Sequence, residues 1–293
     1  MMNWKPWAIA LWMGLGLTAP AAADPFRASN PRPIGPRTQT AFALMFRQGN
    51  QVAAIQEMDA AMRTEANEPL LHALQGARFY LAGDFAGMLV YAQRVRTTAD
   101  ALLPKDKLRG HLYRAVASLM EAGHLVSTEG IFTAAPRAIA LVQQVLTEMD
   151  QAKAIDANDP EYNLIKGYMD MLIANVLPLA DLDGALASLR RAAPEYLRWR
   201  GIALGYRDAR RTAEALEAVD RAIALAPDNP ELLYLKGQIL WQRGGDLTEA
   251  QALYRAAAAK ADLLVPAIAT QLRNECANIT GSPCVPAPVS TTP

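Results

Sequence analysis

The sequence predicts an all-α chain: an array of about six antiparallel helix pairs closed by a C-terminal capping helix. First, the phrase NDPEYNLIKG at 158–167 returns as DNPELLYLKG at 228–237, and more faintly as NEPLLHALQG from Asn67. Each copy has a proline opening an apolar run and a glycine seven residues later. Second, small residues recur at fixed places after those prolines, which is what two close-packed helices per repeat require. Third, 52% of the 293 residues are hydrophobic but only 7% aromatic, and alanine is frequent. That composition suits closely packed helices better than sheet.

Residues 1–23 read as an export signal that is cut away. Lys5 gives a positive start, 8–19 is apolar, and AAA at 21–23 offers small residues for cutting between Ala23 and Asp24. The apolar run is shorter than the roughly 20 residues that cross a bilayer. The expected location is the periplasm or the extracellular space, or a thylakoid lumen. The 29 basic residues balance 29 acidic ones, which argues against a dedicated nucleic-acid binder.

Residues 24–37 hold four prolines and should be extended. Residues 38–262 carry the helical repeats, interrupted by extra residues near 124–136 and 174–180. A capping helix is expected at 263–277, followed by a tail at 278–293. Cys276 and Cys284 are the only cysteines, so an exported chain should join them in a local disulfide. Their spacing is not the C-x-x-C of a redox enzyme, and no histidine lies nearby to complete a zinc site. Closing so short a loop stabilises by roughly 2.6 kcal/mol on the chain-entropy view.

Taking Pro69, Pro160 and Pro230 as position one, the eighth position is Gly76, Gly167 or Gly237. Carrying the same step forward from Pro69 to Leu103 places Gly110 there, and the unit at Tyr196 places Ala203. Position 20 is Ala54, Ala185, Ala215 or Ala250, and position 27 is Ala61, Ala152, Ala192, Ala222 or Ala257. Between them stand Met58, Met149, Leu189, Val219 and Tyr254. Proline suits a helix's first turn, the Asp or Asn before it can cap free amides, and Glu161 and Glu231 favour the positive helix end. The recurring glycine should mark the closest approach of the neighbouring helix.

The stretch WRGIALGYRDARRTAEALEAVDRAIALAP at 199–227 resembles a tetratricopeptide repeat (TPR), matched by Trp199, Ile202, Ala203, Tyr206, Ala215, Val219, Ala222 and Pro227. Thr38–Glu68, Pro69–Leu102 and Pro230–Asp262 resemble single repeats. Leu103–Gly123 resembles a first helix and Pro136–Asp159 its partner. Phe42, Met88 and Val145 depart from the family's small residues. FRASNPRPIG leading into TAFALMFRQGN is similar to an exported cyanobacterial family of TPR proteins of unassigned role.

The resemblance implies a right-handed superhelical solenoid with a concave groove lined by positions 2, 5, 9, 12 and 13 of each unit. In this chain those positions include Arg47, then Tyr80, then Lys107, His111 and Arg114, then Tyr168. Arg200 and Arg207 follow, and Tyr234, Gln238 and Trp241 complete the set. Such a mixture of cations and aromatics suits an acidic or carboxylate-ended protein or peptide segment. The expected role is therefore a protein-interaction scaffold or assembly factor.

Nothing in the chain assembles chemistry. There is no G-x-S-x-G, H-E-x-x-H or Walker loop. Asp156, Asn158 and Asp159 lack the glycine and glutamate spacing of a calcium loop. His72, His111 and His124 form no ligand cluster. The expectation is no catalysis, no cofactor and no metal, with membrane proximity but no span in the mature chain. Two other readings stand beside it. One is a structural component of an envelope complex, held by its convex face and termini. The other is an envelope enzyme using His124 or Glu129 within 124–136.

Overall fold

The repeated proline starts a helix each time it occurs. Pro69, Pro160 and Pro230 are the first residues of helices Pro69–Leu81, Pro160–Val176 and Pro230–Arg243. A first-turn residue has no use for the N–H that proline lacks. The residue ahead of each proline caps the helix: Glu68 accepts from the Leu70 N–H, Asp159 from Tyr162 and Asn229 from Glu231.

The computed structural model describes residues 24–176, 181–245, 247–282 and 284. The expected leader at 1–23 with its cleavage residue Ala23, part of the 174–180 insertion and most of the tail lie outside the described residues. The helices run α1 (Pro36–Phe46), α2 (Gln51–Ala61), α3 (Pro69–Leu81), α4 (Phe85–Leu102), α5 (Lys107–Glu129), α6 (Ile131–Ile155) and α7 (Pro160–Val176). They continue as α8 (Leu182–Arg191), α9 (Glu195–Asp208), α10 (Thr212–Leu225), α11 (Pro230–Arg243), α12 (Thr248–Ala258) and α13 (Pro266–Thr280), with a 3-10 turn at Ala261–Leu263. No strand occurs among the described residues. The protein is all-helical.

Each helix packs on the next in sequence, and each odd-numbered helix from α1 to α9 also touches the following odd-numbered one. The recurring small residues make the pairs possible. Ala54, Ala61, Ala152, Ala192, Ala203, Ala215, Ala222, Ala250 and Ala257 are fully buried. A Cβ on Gly167 would stand 2.6 Å from Leu189 Cγ and 3.2 Å from the Ala185 carbonyl, both on α8. One on Gly237 would meet the Tyr254 ring of α12 at 2.9 Å. Gly76 and Gly110 differ: their nearest neighbours are Met120 of α5 and Leu103.

Leu103 itself marks a local shift of register. It is the C-cap of α4, and α5 begins only at Lys107, with Asp106 accepting from the Arg109 N–H. The step from Pro69 therefore lands early, because α4 runs to 18 residues while α2 and α12 run to 11. The extra residues near 124–136 are helical as well. They lengthen α5 to 23 and α6 to 25 residues, and the two meet at Gly130, whose φ of 78° suits glycine. The last helix, where a cap is expected at 263–277, occupies Pro266–Thr280. It starts at a proline and stops at Gly281, which takes the left-handed conformation. Cys276 and Cys284 lie at disulfide distance, with Cα atoms 5.9 Å apart.

The first two helices meet the start of α11 and the residue before α13. Asn229 at the start of α11 donates to the Phe46 carbonyl at the end of α1, at 2.9 Å. Gln51 at the start of α2 donates to Glu231 and accepts from the Val265 N–H at 2.8 Å.

Candidate functional site

Residues 24–35 precede α1 and lie against the amino-terminal ends of α5 and α7. Phe26 and Ile34 are buried in the core, and the Phe26 ring stands edge-on to Phe42 at 5.1 Å. Arg27, only 9% exposed, crosses to α7. Its Nε and Nη2 donate to Asp159 at 2.8 and 2.6 Å, and Nη2 also reaches Glu161 at 3.0 Å. Its Nη1 donates to Asp24 at 2.8 Å. Asp24, expected to begin the exported chain, also accepts from the Phe26 and Arg32 N–H groups. Arg32 pairs with Asp106.

A second buried arginine continues the network. Arg109 donates to Glu68 at 2.7 Å and to Glu161 at 3.1 Å, and the Tyr113 hydroxyl donates to Glu161 at 2.7 Å. Burial works against the charge on Arg27 and Arg109, but Glu161 and the other carboxylates outweigh it and hold both pKa values above the ordinary arginine range. Burial pushes the Glu68 carboxyl above its usual range despite Arg109. It also raises the Tyr113 hydroxyl, with Glu161 adding to the effect. Glu161, placed by the sequence at a positive helix end, is thus the acceptor that ties residues 24–35 to α5 and α7. Nothing in the repeat pattern singles out Arg27 or Arg109. The one signal was an arginine standing among the apolar residues Leu108, Leu112 and Tyr113.

The expected groove residues divide into several groups. Tyr168 of α7 donates to the Leu197 carbonyl of α9 at 2.9 Å. Arg200 of α9 reaches Glu231 of α11 at 3.2 Å, and Arg207 donates to Gln238 of α11 at 2.9 Å. Gln238 in turn donates to Glu275 of α13 at 3.1 Å. These residues form one polar row along α7, α9 and α11. The side chains of Arg200 and Arg207 are 26% and 25% exposed. Burial acts against the charge on Arg200, while Tyr168 and Glu231 raise its pKa.

The other residues sit elsewhere. His111 Nδ1 is 2.6 Å from Glu148 of α6, and Arg114 donates to Asp100 of α4 at 2.6 Å. They turn toward the even-numbered helices, while Arg109 and Tyr113 take the side of α5 that faces α7. The register shift at Leu103 accounts for this. Arg47 and Lys107 are exposed, as is Tyr80 at the edge of Phe85. Tyr234 is buried against the Tyr254 ring, and the half-exposed Trp241 stands edge-on to the same ring.

Within 124–136, His124 Nδ1 pairs with the Phe85 carbonyl at 2.9 Å and Glu129 pairs with Arg137, so the two point to different partners. A recess of about 150 Å³ lies between Trp199, Tyr206, Arg190 and Glu217. Its aromatic walls are covered by the chain's own Arg221 and Arg211, 4.4 and 4.5 Å from the ring centres. Among the described residues no group of three or more His, Cys, Asp or Glu could hold a metal, and no helix is long and apolar enough to cross a membrane. No family of known proteins matches the chain, and no curated protein does.

Proposed function

We propose that the chain is an exported, non-catalytic scaffold or assembly factor built as a tetratricopeptide-like, right-handed solenoid of about six helix pairs capped by α13. It takes an acidic or carboxylate-ended segment of a protein or peptide along the row formed by Tyr168, Arg200, Arg207 and Gln238. The carrying observation is the state of the two arginines. Both belong to α9, both bond to α11, and both side chains stay about a quarter exposed. A guanidinium has five N–H donors in a fork that suits a carboxylate, and the bonds within the chain use only some of them. The disulfide-distance pair Cys276 and Cys284 is compatible with an oxidising compartment, which supports export.

The test is a crosslinked pull-down from the native envelope with residues 24–293, beside Arg200→Glu/Arg207→Glu. A protein captured by the parent and lost by the folded double variant supports the row as the binding face. Capture of the same protein by both moves binding to another surface and favours a structural role.

A further inference from the structure

The long hairpin of α5 and α6 carries an apolar row that nothing in the described chain covers. Phe132, Ile139 and Leu146 of α6 are 94%, 56% and 53% exposed. They recur every seven residues, so they stay on one face and drift only about 20° per step. The row is about 21 Å long at the rise of an α-helix. Scattered apolar residues on a surface need no explanation, but an aligned row of large ones marks an interaction site.

The charge around the row narrows the occupant. Between 131 and 147 the only ionisable side chain is Arg137, and it is paired with Glu129. A helix that lies on a membrane surface is rich in lysines and arginines on its polar face, and this one has only Arg137 and, in its last turn, Lys153. A charged partner would leave its own charges unpaired against the row, whereas a second uncharged helix would not. The row is also self-matching. Ile139 stands midway between Phe132 and Leu146, so a twofold axis through Ile139 sets each copy's Phe132 against the other's Leu146.

We infer that α6 is a self-association surface, on which two copies of this chain pack antiparallel about a twofold axis at Ile139. The symmetry is isologous, the commonest among soluble oligomers. The exposed apolar area is on the order of 400 Å² per copy, about 800 Å² for the pair, below the roughly 1,000 Å² of a stable interface and in the range of a weak, transient one. The dimer is therefore concentration-dependent rather than permanent. It leaves the polar row on α7, α9 and α11 free and does not depend on what that row binds.

Sedimentation equilibrium of residues 24–293 over a range from about 1 to 100 μM tests this directly. The expected result is a monomer–dimer equilibrium, with the dissociation constant of Ile139→Asp raised at least about tenfold, as for loss of a central interface residue. A parent chain that stays monomeric throughout overturns the proposal, as does an Ile139→Asp variant that dimerises like the parent. The geometry is read by engineered cysteines under mild oxidation. Ile139→Cys should form a covalent dimer alone. Phe132→Cys should crosslink only when mixed with Leu146→Cys. Self-crosslinking of Phe132→Cys without crosslinking of Ile139→Cys would overturn the antiparallel arrangement.

Discussion

Arg27 and Asp159 lie 132 residues apart in sequence and form a two-pronged ion pair, with Nε and Nη2 donating at 2.8 and 2.6 Å. Both side chains are almost wholly buried, at 7% and 3% exposure. Removing the cation alone leaves Asp159 without its two-pronged partner, and Glu161 with Arg109 alone, in a low-dielectric site. Arg27→Met should therefore cost about 3–5 kcal/mol of folding stability in denaturant titration. Arg221→Ala removes an arginine that is 51% exposed and lies over the Trp199 ring, and should cost about 1 kcal/mol or less. Equal midpoints for the two variants would mean that residues 24–35 do not dock.

Glu161 and Glu231 occupy the same place in the repeated phrase, directly after the proline, yet they should respond differently to the same change. Glu161 is fully buried and accepts from Arg27, Arg109 and Tyr113. The side chain of Glu231 is 18% exposed and shares Arg200 at 3.2 Å. Glu161→Gln should lose roughly 3 kcal/mol because two buried guanidiniums lose the counter-charge they share. Glu231→Gln should lose about 1 kcal/mol or less. A thermal or denaturant comparison that ranks them equally would show that the shared helix-end position governs both.

That pair also marks the limit of what the sequence made legible. The helices, their proline starts, the caps at Asp159 and Asn229 and the buried alanines could all be read, because each follows from local chemistry repeated along the chain. The ion-pair network could not. It joins Arg27 to residues more than a hundred positions away, and no periodicity records such a contact. The register carried from Pro69 to Leu103 failed for a physical reason, since α4 is longer than its counterparts and displaces the start of α5. Of the expected groove residues, Tyr168, Arg200, Arg207 and Gln238 share one row. His111 and Arg114 inherited the displaced register and face Glu148 and Asp100 instead.

Gly167→Ala should destabilise the protein although alanine is the better helix former by about 1 kcal/mol. The added methyl would stand 2.6 Å from Leu189 Cγ and 3.2 Å from the Ala185 carbonyl. Backbone on the far side cannot swing away, so α7 and α8 must separate, at a net cost of about 1–3 kcal/mol. Gly83 has open space and a φ of 73°, so its alanine variant would suffer from backbone strain instead. Unchanged stability in Gly167→Ala would show that α7 and α8 are not in close contact.

Reducing the Cys276–Cys284 pair should lower stability by no more than roughly 2.6 kcal/mol, the chain-entropy value for so short a loop. Cys276 is buried on α13, and Glu275 beside it accepts from Gln238 of α11 and from Tyr254. The loss should therefore appear first as faster amide exchange in α13, ahead of α3 and α5. Uniform exchange throughout on adding reductant would place the pair's role in the whole fold.

His72 should make stability depend on pH in the range where histidine titrates. Its Nε2 is 2.8 Å from the Ala66 carbonyl, and its Nδ1 is buried without a partner. Burial, aided by Arg94, holds its pKa below the ordinary value, against the smaller pull of the Ala66 carbonyl. The unfolded chain thus takes up the proton more readily than the folded one. The stabilising effect is complete above the unfolded pKa of about 6.5 and is lost as pH falls through and below it. Glu68 acts with the opposite sign and at lower pH, because burial raises its pKa and makes the folded chain the stronger proton binder there. Denaturant midpoints measured from pH 8 down to about pH 5.5 should fall for the parent chain and fall less steeply for His72→Gln, whose amide can still donate to Ala66. Parallel slopes for the two would show that His72 titrates alike in the folded and unfolded chains, and that α3 does not bury it.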